Sequence, residues 1–139
     1  MPLLSKEAAA LSDPRHLGLD LGKRESQVSV LDEQGSEIFT RRFQTTRENI
    51  LHLAWELRPT DTIALEVTTN AISIARLLKS NSKAKVILSN PIKTKVIAVA
   101  KVKTDKIDAR VLAELARANY LPEVWIPDED TAIPSTVLL

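Results

Sequence analysis

Four acids occupy positions from which they could converge on one metal ion: Asp20, Glu66, Asp105 and Asp108. Asp20 ends the alternating run Leu17-Gly18-Leu19, and Glu66 closes Ile63-Ala64-Leu65. Asp105 and Asp108 are three residues apart, in Thr104-Asp105-Lys106-Ile107-Asp108-Ala109. Clustered carboxylates repel one another and hold their protons more tightly, and a hard divalent cation removes that penalty. Two Mg²⁺ ions about 3.5–4 Å apart would activate a nucleophile and stabilise the leaving oxygen in phosphoryl transfer.

The spacing predicts a helix that starts at Thr104 as N-cap and runs to about Asn119. On a wheel with Asp105 at zero, Asp108 falls at about 300°, inside the stripe formed by Ile107, Val111, Leu112, Leu115 and Ala118. Lys106, Arg110, Glu114 and Arg117 take the solvent side. A carboxylate inside an apolar stripe must be met by a cation or a hydrogen-bond network. Asp105, one turn earlier, would point to the same place. Each acid also has an ordinary explanation. Asp105 could complement a helix dipole, Asp20 could sit at a turn with Gly22, and Glu66 could pair with a lysine. The signal is the set of four.

The elements that must position these acids read as follows. His16–Leu21, Gln27–Leu31 and Ile38–Phe43 alternate as strands, with a turn at Asp32-Glu33-Gln34-Gly35, and their short spacing predicts an antiparallel meander. On the first strand Leu17, Leu19 and Leu21 share one face and Gly18 and Asp20 the other. Thr45 and Glu48 form a capping box for a helix carrying Ile50, Leu53, Ala54 and Leu57, which Pro59 stops. Thr62–Val67 has the apolar character of a central parallel strand. Ala71, Ile74, Ala75 and Leu78 mark a second helix, Lys85–Leu88 another strand, and Ile92–Ala100 a third helix with Ile92, Val96 and Val99 on one side. Val124–Pro127 reads as a last short strand. Three antiparallel strands followed by βαβα predict an α/β fold with a mixed five-stranded sheet and helices on its faces, the order of a ribonuclease-H-like fold. The organisation expected is a flexible tail over 1–14, one domain over 15–127 and a C-terminal tail over 128–139. Trp55 and Trp125 are expected in packing.

Composition narrows the class. The chain has 139 residues, 44% hydrophobic and 27% charged, with no cysteine. That is enough for one domain with one core, and it excludes disulfides and thiolate metal sites. No apolar run is long enough for a membrane span and no secretory signal is visible, so the cytoplasm is the expected compartment. The net charge is only +1, but between Lys79 and Lys106 eight lysines face the single acid Asp105, a net +7 over 28 residues. A segregated basic stretch beside candidate metal ligands fits a polyanion held near them. Lys93, Lys95, Lys101, Lys103 and Lys106 are the candidate nucleic-acid contacts.

Four motifs carry a family resemblance: His16-Leu17-Gly18-Leu19-Asp20; Ile63-Ala64-Leu65-Glu66-Val67-Thr68; Ser89-Asn90-Pro91; and Lys103-Thr104-Asp105-Lys106-Ile107-Asp108-Ala109-Arg110. Together they resemble the N-terminal domain of the DEDD transposases, the IS-one-ten family of bacterial insertion sequences, related to the Piv invertase and similar to the Holliday-junction resolvase RuvC. The resemblance implies that Asp20, Glu66, Asp105 and Asp108 form a catalytic tetrad binding Mg²⁺. It also implies DNA recombination guided by an RNA made from the element itself. Where the family often has Glu-x-Thr-Gly, this chain has Glu66-Val67-Thr68-Thr69. Family members continue into a helical segment and a second domain with a nucleophilic serine, so the expectation is a truncated copy that binds Mg²⁺ weakly and does not recombine DNA alone.

Other readings stand beside this one. A stand-alone resolvase-like nuclease would use the same four acids to activate water. A non-catalytic fragment would bind nucleic acid through its lysines, form a homo-oligomer, or pair with full-length transposase and inhibit it. A kinase lobe of the actin and hexokinase type is suggested by Gly18-Leu19-Asp20-Leu21-Gly22, but no second phosphate loop follows and the chain is too short for two lobes.

Overall fold

The computed structural model describes residues 3–4 and 13–127. Its elements, in order, are β1 (His16–Asp20), β2 (Glu25–Leu31), β3 (Glu37–Gln44), α1 (Arg47–Glu56), β4 (Thr62–Glu66), α2 (Ala71–Ser80), β5 (Lys85–Ser89), α3 (Pro91–Lys101), α4 (Ala109–Arg117) and β6 (Glu123–Val124). The sheet has six strands in the order β3-β2-β1-β4-β5-β6, one more than the five expected. The β1–β2, β2–β3 and β5–β6 pairs are antiparallel. The β1–β4 and β4–β5 pairs are parallel, which places β4 at the centre, as its unbroken apolar run predicts. The added strand is the short Glu123–Val124 segment, which lies along β5.

Side-chain alternation sends each strand's residues to two different layers. Leu17 and Leu19 of β1, Val28 and Val30 of β2, and Ile63 and Leu65 of β4 join Ile50, Leu53 and Ala54 of α1 and Ala71, Ala75 and Leu78 of α2 in the larger core. On the opposite face Ala64 of β4 and Ile87 of β5 pack with Leu112 and Ala116 of α4. Leu3 and Leu4 are also buried in the larger core, and their backbone N–H groups donate to the Glu56 carboxylate. The part of the N-terminal segment described here is therefore packed, where a loose tail was expected. The Ala8–Ala10 stretch and the 128–139 tail lie outside the described residues.

Two polar details set the frame. Arg15 and Asp61, both buried, pair through two side-chain bonds of 2.9 and 2.6 Å just ahead of β1 and β4. The same carboxylate accepts the Arg58 N–H at 2.8 Å. Breaking such a pair by removing one partner costs about 3–5 kcal/mol. At the start of α1 the cap is Thr46, which accepts from Asn49 N–H at 3.1 Å, rather than Thr45. Thr45 is drawn one residue out of the expected box by its 2.6 Å bond to Ser26.

Two expectations about exposed surfaces change. Trp55 and Trp125 are both largely exposed, and Trp55 makes a T-shaped contact with His52. In α3 the buried residues are Thr94 and Ala98, while the Ile92, Val96 and Val99 side faces outward. Asn90 caps this helix, accepting from Lys93 N–H, with Pro91 at the first helical position.

Helix α4 lies close against β1 at Gly18. A Cβ placed on Gly18 would stand 1.8 Å from the Ala109 carbonyl oxygen and 2.7 Å from the Ala113 nitrogen. Both neighbours are backbone, so neither can rotate away. Gly18→Ala should therefore destabilise the domain by about 3 kcal/mol or more, at or beyond the top of the usual overpacking range. Urea denaturation checks this, and a loss under about 1 kcal/mol would contradict the packing described.

Candidate metal and nucleic-acid site

The approach of α4 to Gly18 sets its first turn over the C-terminal ends of β1 and β4. The alternation that turns Gly18 and Ala64 toward α4 does the same for Asp20 and Glu66, two residues further along each strand. The parallel register Leu19↔Leu65 makes Asp20 and Glu66 neighbours across the sheet. The row continues to either side. Asp20 is opposite Gln27, Gln27 is opposite Arg42, and Glu66 is opposite Ser89. Five strands thus contribute one transverse line of side chains: Ser89, Glu66, Asp20, Gln27 and Arg42.

Asp108 joins this line from above. It is the N-cap of α4, and its carboxylate accepts the Val111 N–H at 2.9 Å. Ile107, just before the cap, packs on the cluster containing Leu112, the arrangement of a hydrophobic staple. Thr104 does not cap this helix. Its hydroxyl accepts from Lys106 N–H at 3.2 Å and closes a local turn, and Lys103 takes a left-handed φ of 64°. The helix therefore begins four residues later than the wheel assumed, and Asp105 is exposed on the preceding loop. What meets Asp108 is a backbone N–H of its own helix. The structure brings three of the four expected acids onto one face, while Asp105 remains on the adjoining loop.

The three acids interact electrostatically. Glu66 is held above the usual carboxylate range by partial burial and then by the charge of Asp20. Asp20 is likewise raised, first by desolvation and then by Asp108, against the opposing pull of Arg42 and Lys106. Asp20 is thus the middle charge of the group. A hollow of about 190 Å³ beside it is lined by Gly22, Glu25, Gln27 and Arg42. A second, of about 520 Å³, adjoins Asp108 and is lined by Lys101, Lys106 and Arg110. Among the described residues, no three acid or histidine side chains stand close enough to hold a metal in this conformation. The donor set nevertheless suits a hard cation: it is all oxygen, mutually repulsive, and short of counter-charge.

The expected lysines are not all brought to this place. Lys93 and Lys95 are exposed on α3, Lys101 lies 5.2 Å from the Tyr120 ring centre, and Lys103 donates to the Ala100 carbonyl. Lys106 is the one whose charge reaches Asp20. Arg42 was missed in the sequence. It stands opposite Gln27 because the β2–β3 register shifts by one residue between Val30 and Leu31; the register set at the turn alone would put Arg41 there.

Residues 17–133 match the family of IS110 (IS-one-ten) DEDD transposases. The chain belongs to this transposase family. No curated protein matches it. Among solved structures, the ethanolamine utilization protein EutJ from Carboxydothermus hydrogenoformans is similar at 15% identity and a TM-score of 0.44, over 66% of this chain and 42% of that one. The chain thus spans less than half the length of that protein, and the transposase assignment rests on the family match alone. No helix among the described residues of this transposase domain is long and apolar enough to cross a membrane.

The sign of the pH dependence follows from the raised carboxyls. A proton held more tightly in the folded state adds stability that is fully present below the ordinary carboxylate range and lost as pH rises through the folded value. Metal-free Asp20→Asn should therefore melt higher than wild type near neutral pH. The gap should widen from about pH 4 to about pH 7. A constant gap, or a less stable variant at neutral pH, would contradict the electrostatic reading of Asp20.

Proposed function

We propose that this chain is the metal-binding catalytic domain of a DNA transposase, with a RuvC-like, ribonuclease-H-like fold, acting in Mg²⁺-dependent strand cleavage and exchange. The observation that carries the reading is the meeting of Asp20, Glu66 and Asp108 on one sheet face under the first turn of α4. The family match supplies DNA as the substrate class. Three antiparallel strands followed by two parallel ones, with helices on both faces, support the fold assignment.

Asp20 and Glu66 would hold Mg²⁺ from the strand ends. Asp108 would add its remaining lone pairs, since one oxygen is engaged by Val111 N–H. Asp105, on the loop three residues earlier, is the outlying member of the tetrad. Bound Mg²⁺ would neutralise the acids and stabilise charge on a phosphodiester oxygen. Lys106 and Arg42 flank the acids and would draw a phosphate toward them, while Lys93, Lys95, Lys101 and Lys103 extend a basic surface for the rest of the DNA backbone. A guide RNA, and assembly with further copies or with full-length transposase, are partners that the family resemblance implies.

Isothermal titration with Mg²⁺, followed by duplex DNA with and without the metal, tests this reading. Asp20→Asn, Glu66→Gln and Asp108→Asn should each weaken Mg²⁺ binding about tenfold or more, a loss of about 1.4 kcal/mol. Asp105→Asn should weaken it less. Asp108→Asn is informative because asparagine caps a helix as well as aspartate, so the fold should persist while the charge is lost. Mg²⁺ should strengthen DNA binding by wild type and not by Asp20→Asn. Absence of metal binding in wild type, or equal binding in Asp20→Asn, would overturn the proposal.

A further inference from the structure

Ser89 ends β5 fully buried, and its hydroxyl has no hydrogen-bond partner. Among the described residues, the other buried hydroxyls all have one. Ser26 pairs with Thr45, Ser29 donates to Glu37, and Thr94 donates to the Asn90 carbonyl. A stranded hydroxyl is disfavoured in a buried strand, where alanine would fill the same place without an orphaned polar atom. Its backbone is already committed, since the Ser89 carbonyl accepts Val67 N–H at 3.0 Å.

The register shows what the hydroxyl stands beside. Ser89 is the direct partner of Glu66 in the parallel β4–β5 pair. Paired residues on adjacent strands project to the same face, about 4.8 Å apart at the backbone. Ile87, two residues back on β5, packs with the α4 cluster, so Ser89 faces the α4 side, as Glu66 does. Glu66 is only partly exposed and none of its hydrogen bonds with described residues is a side-chain bond. An unmatched donor and an under-supplied acceptor therefore occupy neighbouring places in the transverse row.

We infer that Ser89 is a positioning residue: its hydroxyl donates to the Glu66 carboxylate and holds it toward Asp20. The bond forms by rotation of the two side chains, with no change of backbone. This inference rests on the reading of Glu66 as part of the metal site, and it adds a fifth residue, one that would not touch the metal itself.

The test is ¹³C NMR of the Glu66 side-chain carboxyl in the metal-free chain, at one neutral pH. Ser89→Ala should displace the Glu66 resonance and leave that of Asp108 in place. Ser89→Thr, which keeps the hydroxyl, should restore it. The Mg²⁺ affinity of Ser89→Ala should fall about threefold to tenfold. Should Ser89→Ala fail to fold, Ser89→Cys, a weaker donor of similar shape, serves for the same reading. An unmoved Glu66 resonance would overturn the inference even if Mg²⁺ binds wild type normally. If the resonance moves but no variant or wild type binds Mg²⁺, the Ser89 bond stands and the metal reading fails.

Discussion

The seating of α4 on β1 at Gly18 is the contact on which the site depends. Ordinary helix-on-sheet packing keeps the helix a side chain's thickness away. Here the glycine and the small residues Ala109, Ala113 and Ala116 let backbone approach backbone. That closeness carries the N-terminus of α4, with its cap residue, over the ends of β1 and β4. The positive end of the helix dipole then faces the carboxylate row, which partly offsets the repulsion among its members. A bulkier helix face would leave Asp108 too far from Asp20 for the two charges to sense one another.

Asp108 illustrates how one side chain can serve both fold and chemistry. As an N-cap it satisfies a helix N–H that would otherwise be orphaned, a role worth about 1 kcal/mol. As a charge it acts on Asp20, 88 residues earlier in the sequence. The cap fixes where the carboxylate stands, so the electrostatic cost of the acid cluster is met by rigid elements. Asp20 and Glu66 are held by strand register, and Asp108 by the first turn of a helix. Asp105 has no such anchor and lies on a loop whose turn is closed by Thr104.

Much of the sheet was legible because alternation and register are local properties. Leu17, Leu19, Gly18 and Asp20 fell on the faces their parity dictated, and the apolar run before Glu66 placed β4 at the centre. The start of α4 was not legible. Thr104 and Asp108 are both competent caps, and the choice between them is made by packing, since Ile107 staples onto the α4 cluster and Ala109 must meet Gly18. The wheel that began at Asp105 counted a helical turn that does not exist. The buried Arg15–Asp61 pair and the approach of Arg42 to Asp20 depend on partners 46 and 22 residues apart in sequence, which no local pattern reveals. The outward apolar side of α3 was read correctly as one face, but not as an exposed one.

The most direct measurement is paramagnetic broadening of the side-chain carboxyl signals during titration with Mn²⁺ as a surrogate for Mg²⁺. The account predicts that Asp20, Glu66 and Asp108 broaden together at the lowest metal ratio, with Asp105 following. Exposed acids near the β2–β3 turn, at the far end of the sheet, such as Glu33 and Glu37, should remain sharp. Broadening that begins at those surface acids, or that spreads evenly over all acids, would contradict a single site built by α4 on the sheet.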